Sequence, residues 1–261
     1  MTHAENDQKQ RLTVALWSPG IASLLVLLFL GLVLEVLIAS GIADPSIIAA
    51  PSEMLMSLEQ LFTRDNLGAA FLVTLAQALS ATLLAMLIGL PLGYALFRYD
   101  VLGRAYRGWL AAMFAAPLVL LYPLFLVVIG RNYGTTITMG VITGAIPIAL
   151  YTCEALHKVP PTLLKVGAAF NLTAKQTFTL IQVPAAVPDA FTGIRLGLIY
   201  ALVNIIGIEF LIDFGGLGRV VSTMFFRYDI PGMYAAIFFI ILISLLFLTV
   251  LKKVERWLRP V

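Results

Sequence analysis

The chain has 261 residues, of which 61% are hydrophobic and only 12% charged. A soluble domain carries about 25% charged residues, so this balance, with a mean hydropathy of +0.98, excludes an ordinary soluble fold and defines an integral membrane protein. The single cysteine, Cys153, excludes an internal disulfide and a cysteine-built metal site.

A bilayer crossing takes about 20 apolar residues in a helix. Six such runs occur, at about residues 20–39, 68–97, 109–129, 135–153, 190–212 and 233–251. They predict an all-α polytopic membrane protein: a tail over 1–19, then a single transmembrane domain over 20–261. The second run is long enough to tilt or project beyond the bilayer. The first follows a mixed-charge N-terminus and is too long for a signal-peptide core, so it reads as a retained anchor.

Lysine and arginine set the orientation. With the N-terminus inside, the inner segments hold Lys9, Arg11, Arg98, Arg104, Arg107, Lys158, Lys165, Lys175, Lys252, Lys253, Arg256 and Arg259, and the outer ones hold Arg64, Arg131, Arg219 and Arg227. Both termini are therefore expected to be cytoplasmic, and the net charge of +3 reflects this bias rather than nucleic-acid binding.

After the first span, Asp44 to Glu53 leads into an amphipathic helix, with Pro51 at its first position and Glu53 in its first turn. Met54, Leu55, Leu58, Leu61 and Phe62 follow helical spacing there. Arg98 to Arg107 reads as a short basic loop. Asp213 to Pro231, opening on Gly215-Gly-Leu-Gly218, reads as an outer loop with enough polar surface to meet a soluble protein. Trp109 and Trp257 fall at expected interfaces, where indole rings anchor helices.

The longest polar interruption runs from Glu154 to Pro188. Pro160-Pro161 opens a helix running to about Phe170, because proline is tolerated in a first turn. Asn171 supplies a left-handed stop. Thr173-Ala-Lys-Gln176 fits a capping box and starts a second helix reaching about Gln182, where Pro184 is expected to break it. The product is two short helices around a sharp corner bearing Ala168, Ala169, Phe170 and Leu172. Small residues allow close approach and Phe170 offers a knob for a hydrophobic groove. The segment lacks the lysine-rich and Trp/Phe-rich faces of a helix lying on lipid.

The stretch from Lys165 to Pro188 resembles the cytoplasmic coupling loop of binding-protein-dependent ABC importer permeases, most clearly in its close, Gln182-Val-Pro184 with Ala185-Ala-Val-Pro188. Lys165 stands where those permeases have glutamate, Val166-Gly167 where they have an alanine pair, and Asn171 where they have glycine. The resemblance covers roughly 40 to 258 and looks most like the nitrate, sulfonate, taurine and thiamine-precursor branch. Its further marks are Pro51-Ser-Glu-Met-Leu-Met-Ser-Leu, Val73-Thr-Leu75, Ile88-Gly-Leu-Pro-Leu-Gly93, Pro123-Leu-Phe-Leu with Gly130, Gly193-Ile-Arg195, Glu209-Phe-Leu211 and Gly216-Leu-Gly218. Gln77 stands where relatives usually carry arginine.

This resemblance implies a type I importer-permease fold in a bacterial cytoplasmic (inner) membrane. It implies a second permease subunit, identical or homologous, two ATP-binding subunits inside, and a solute-binding protein outside that delivers a small polar solute. Lys165, Gly167, Ala168, Ala169, Phe170, Asn171, Leu172 and Thr173 would contact the ATPase. The sequence contains no Gly-x-x-x-x-Gly-Lys-[Ser/Thr] phosphate loop, so this is expected to be a non-catalytic subunit without a cofactor of its own, ATP and magnesium being held by the partner.

Ionisable residues within spans default to functional candidates. Glu35 is near the outer end of the first span and can reach the interface. Arg195, near the inner end of the fifth, either contacts substrate or ties the coupling loop to that span, with Pro184 as a second structural link. Glu209 either contacts substrate, gates the pathway or pairs with a neighbouring helix. The two lie about 21 Å apart along one helix axis, so they do not pair directly. Gln77, Ser80, Thr138, Thr143 and Asn204 mark a polar pathway or satisfy helix backbones. Tyr122, beside Pro123, marks a kink that could open space, or packs as an aromatic. With Gln77, Asn204 and Glu209 it completes the candidate pathway or gate.

Two other classes are weighed. A gradient-driven secondary transporter could use Glu35, Arg195 and Glu209 as a relay, but no pair of interrupted helices stands in matching halves. An intramembrane enzyme is poorly supplied by His3, His157 and one cysteine.

Overall fold

The computed structural model describes residues 19–258, so His3, Lys9, Arg11, Arg259 and the tail lie outside the described residues. All regular structure among those residues is helical. α1 (Pro19–Ala39) and the amphipathic α2 (Pro51–Thr63) precede the long α3 (Leu67–Arg98). α4 (Asp100–Ala115), a 3-10 turn (Leu118–Leu121) and α5 (Tyr122–Ile129) lead to α6 (Tyr133–His157). The short α7 (Pro161–Ala169) and α8 (Ala174–Thr177) then lead through a π turn (Phe178–Gln182) into α9 (Val183–Ile212). α10 (Gly216–Phe226) and α11 (Ile230–Leu258) close the chain.

Among the described residues, five helical segments are long and apolar enough to cross a membrane, or six if the bent pair Asp100–Ala115 and Leu118–Ile129 forms one span. α3, at 32 residues, is about 48 Å long, longer than a hydrocarbon layer of about 30 Å, a length that tilt or projection accommodates.

α6 is the centre of the bundle, buried along most of its length between α3 and α9. Small residues make this possible. A Cβ on Gly197 would lie 2.8 Å from the Gly144 carbonyl oxygen, and one on Gly93 would lie 2.6 Å from that of Ala149. Three Gly-x-x-x-Gly pairs, 89–93, 140–144 and 193–197, thus bring backbones together where lipid offers no hydrophobic drive for association. α1 sits apart with Leu25 to Leu32 largely exposed, as a lipid-facing helix should be. Its link to the rest is Glu35, which accepts from Ser52 Oγ at 2.6 Å and from the Ser52 N–H at 3.1 Å. That carboxylate completes the N-terminus of α2, where negative charge is favoured. α2 then lays Leu61, with Met54 and Leu58 beside it, onto Leu67, Leu217, Met224 and Ala235.

Four expectations need correction. The run over 109–129 is not one helix: it bends by 90° between α4 and the Leu118–Ile129 segment. The break falls at Ala116-Pro117, because proline disfavours helix in the residue before it, and Ala116 is extended (φ −76°, ψ 147°). Pro123, held responsible above, sits in the first turn of α5, where proline costs nothing. The basic 98–107 loop reduces to Tyr99, since α4 already begins at Asp100. The outer loop 213–231 contains α10, whose Leu217, Val220, Val221 and Met224 are buried.

Candidate functional site

One end of the bundle carries the α7–α8 hairpin. Its first helix closes in a Schellman arrangement: Leu172 N–H donates to the Gly167 carbonyl at 3.0 Å and Asn171 N–H to that of Ala168 at 3.0 Å. Asn171 is left-handed, with φ 52°, as its place at the corner requires. Thr173 then caps α8: its N–H donates to Gln176 Oε1 at 2.9 Å, and the Gln176 N–H returns to Thr173 Oγ1 at 3.3 Å. Gly167 is buried against Ile181 and Thr177, and a Cβ there would meet Ile181 Cδ1 at 2.9 Å. That contact folds the two arms together. Lys165, Ala168, Ala169, Asn171 and Thr173 are exposed, Leu172 is half-buried, and Phe170 is 75% exposed. At the hairpin's entry the Glu154 carboxylate, 2.8 Å from Lys158 Nζ, holds that ammonium above its ordinary pKa by hydrogen bond and charge.

Pro184 does not break the second arm. The chain widens instead: Val183 N–H bonds to the Phe178 carbonyl, five residues back. Proline has no N–H and its ring clashes with the carbonyl four residues before it. A π turn at that point spreads the backbone, so α8 runs on into α9 without interruption.

At the other end, Glu209 is fully buried. It accepts from Gln77 Nε2 at 2.7 Å, from Thr74 Oγ1 at 2.9 and 3.0 Å, and from the Gly218 N–H at 3.0 Å. Thr74 Oγ1 in turn accepts from the Leu217 N–H at 2.8 Å, and Thr136 Oγ1 donates to Gln77 Oε1. Thr74, Gln77 and Gly218 thus donate to the carboxylate directly, and Leu217 and Thr136 donate to two of these three in turn. The Gly216-Leu217-Gly218 turn is the start of α10, whose unpaired N–H groups and dipole suit an anion. A Cβ on Gly218 would stand 2.7 Å from Glu209 Cβ, so only glycine admits this approach. Arg131 closes the neighbouring helix end: its Nε donates to the Ile212 carbonyl at 2.6 Å and its Nη2 to that of Asp213, a cation on the C-terminus of α9.

Gln77 and Glu209 therefore come together, with Thr74 and Thr136, which the sequence reading missed; the Thr74–Gln77 spacing on one helical face is the only local signal. Tyr122 packs onto the apolar group of Met139, Ile208 and Ile212. Asn204 is half-buried and faces a separate cleft beside Pro117. Arg195 ties α9 to α11, not to the coupling segment: its Nη1 pairs with Glu255, whose Oε1 also accepts from Thr192 at 3.0 Å. Glu35, Arg195 and Glu209 thus have separate partners rather than forming a relay.

The described residues thus form a polytopic helical bundle with a glycine-packed centre and a hairpin projecting from one end. The chain belongs to the family described as binding-protein-dependent transport system inner membrane component, whose model matches residues 81–260. It is 25% identical over 85% of its length to formylaminopyrimidine transport permease protein ThiX of Halalkalibacterium halodurans, covering 88% of that chain. To the glycine betaine/proline betaine permease ProW of Escherichia coli it is 33% identical over 60% of its length, covering 44% of that protein. Solved structures of the MetNI methionine ABC transporter, inward facing (TM-score 0.63, 19% identity, 72% of this chain and 93% of that one), share the fold. So does an amino acid ABC transporter crystallised with histidines (TM-score 0.62, 17% identity, 76% and 97%). The protein is a multi-pass permease subunit of a binding-protein-dependent ABC importer.

Proposed function

We propose that this permease takes its driving force through the α7–α8 hairpin. Two ATPase subunits, which carry the nucleotide and magnesium, would dock on the hairpins of two permease copies, or of this chain and a homologue. The observation carrying this reading is Phe170, 75% exposed at the tip of a hairpin whose second arm is continuous with α9. A knob held by a left-handed turn and a capping box fits a groove on a soluble partner. In this reading Lys165, Ala168, Ala169, Leu172 and Thr173 surround the knob, while Gly167 and Asn171 fix its shape.

The hairpin end is then cytoplasmic, in agreement with the lysine and arginine bias, and the α10 end receives a solute-binding protein. The relative named for formylaminopyrimidine is matched along most of its length, which favours the thiamine-precursor side of the branch named above and a small polar solute as cargo. ATP binding shifts the bundle only through different affinities for its two orientations. Asn204 lines the route, whereas Gln77 and Glu209 lock α3, α9 and α10 into a wall against which Tyr122 packs.

The test is uptake in proteoliposomes holding the chain with its co-encoded ATPase and binding protein. Uptake that requires internal ATP supports the reading. Gradient-driven uptake by the chain alone would overturn it.

A further inference from the structure

The bend in the third span leaves a cleft of about 320 Å³ between Phe114, Pro117, Thr143, Tyr200 and Asn204. Asn204 lies eight residues inside the end of α9 and Thr143 ten residues inside that of α6, or about 12–15 Å of helix. In a hydrocarbon layer of about 30 Å the cleft is therefore near mid-depth, where irregular backbone is tolerated only if it lines a cavity or is buried in protein.

The cleft has a distinct chemistry. No Asp, Glu, Lys, Arg or His lines it. One wall is aromatic: the rings of Phe114 and Tyr200 pack on each other at 4.5 Å between centroids and 47° between planes. Rings packed together in this way offer a single flank, not the facing aromatic walls that cage a quaternary ammonium. The Thr143 hydroxyl is turned back onto the Met139 carbonyl at 2.9 Å. Asn204 Nδ2 gives one N–H to the Tyr200 carbonyl at 3.0 Å; among the described residues its side chain makes no further hydrogen bond. It can therefore offer one acceptor, Oδ1, and one N–H, side by side.

We infer that this cleft is a substrate station selecting an uncharged planar solute, a ring bearing an adjacent donor and acceptor, by stacking on the aromatic flank and pairing with Asn204. A full charge at this depth would lose its hydration and find no counter-ion in the lining. The volume falls at the lower end of small-molecule sites, so the solute is of single-ring size. This rests on the permease reading and narrows its cargo.

The test uses three probes sharing one ring and differing in charge: benzamide, benzoate and benzyltrimethylammonium. Saturation transfer from the chain in nanodiscs, with empty nanodiscs subtracted, should favour benzamide over both ions. Asn204→Leu should weaken benzamide binding about tenfold or more, as expected for two lost hydrogen bonds. Asn204→Asp, a conservative change of shape, should exchange the benzamide signal for that of benzyltrimethylammonium. A signal from benzoate or benzyltrimethylammonium at or above that of benzamide, benzamide binding no stronger than to empty nanodiscs, or benzamide binding that both variants leave intact would each overturn the inference. Such a failure would leave ATP-dependent uptake untouched, and loss of ATP dependence would leave probe binding untouched, so the two readings fail separately.

Discussion

The Gln77 amide donates to the Glu209 carboxylate at 2.7 Å, joining α3 to α9 through side chains that are 4% and 0% exposed. Across that bond a carboxylate is held by amide, hydroxyl and backbone donors, with the start of α10 supplying the compensating partial charge.

Removing the acceptor leaves those donors without a partner in a place that water does not reach. Glu209→Ala should therefore cost about 1–3 kcal/mol, the penalty for leaving buried donors unsatisfied. Glu209→Gln should lose less, because one amide oxygen still accepts. Thermal denaturation in detergent measures both, and an unchanged midpoint for the alanine variant would remove the cluster's structural role.

Arg195 and Glu255 are only 20% and 10% exposed in their side chains, so their pairing is screened less than a surface ion pair. A double-mutant cycle with Arg195→Ala and Glu255→Ala should give a coupling energy of about 0.5–3 kcal/mol. Strict additivity would mean that the Arg195–Glu255 pair contributes nothing.

Phe170 touches solvent rather than the bundle, so its loss is predicted to show only in assembly. Phe170→Asp should abolish co-purification of the ATPase while the chain elutes and melts as before. An intact complex would move the docking surface elsewhere.

The corner itself depends on a left-handed residue. Asn171→Gly should be tolerated, whereas Asn171→Val should destabilise the hairpin by about 1–2 kcal/mol, the penalty of a side chain in that region. Hydrogen exchange of the Leu172 amide, which bonds across the corner, separates the two; equal protection would show that φ at this position carries no strain.

Local signals were legible and distant ones were not. The Asn171 stop and the Thr173–Gln176 box were read from residues three apart because their chemistry is local. The third span was misread because apolar composition reports membrane crossing, not straightness, and two prolines competed for the break. Pro117 wins, while Pro123 occupies a first turn that needs no N–H. Pro184 looked like a terminator, yet a single wide turn absorbs it. α10 hid behind Gly215 and Gly216, which read as loop, although Leu217, Val220, Val221 and Met224 carried helical spacing. Thr74 bonds Glu209 across a separation of 135 residues, and no sequence window contains both.

That separation bears on how the chain is made. α3 enters the membrane with its threonine and glutamine still lacking an acceptor, and α9 later brings a carboxylate into hydrocarbon before its backbone donors have been synthesised. Thr74 and Gln77 can meet the carboxylate once α9 is in place, and its backbone donor, the Gly218 N–H, follows with α10. A nascent chain stopped ahead of Gly216 would therefore hold this acid on side-chain donors alone.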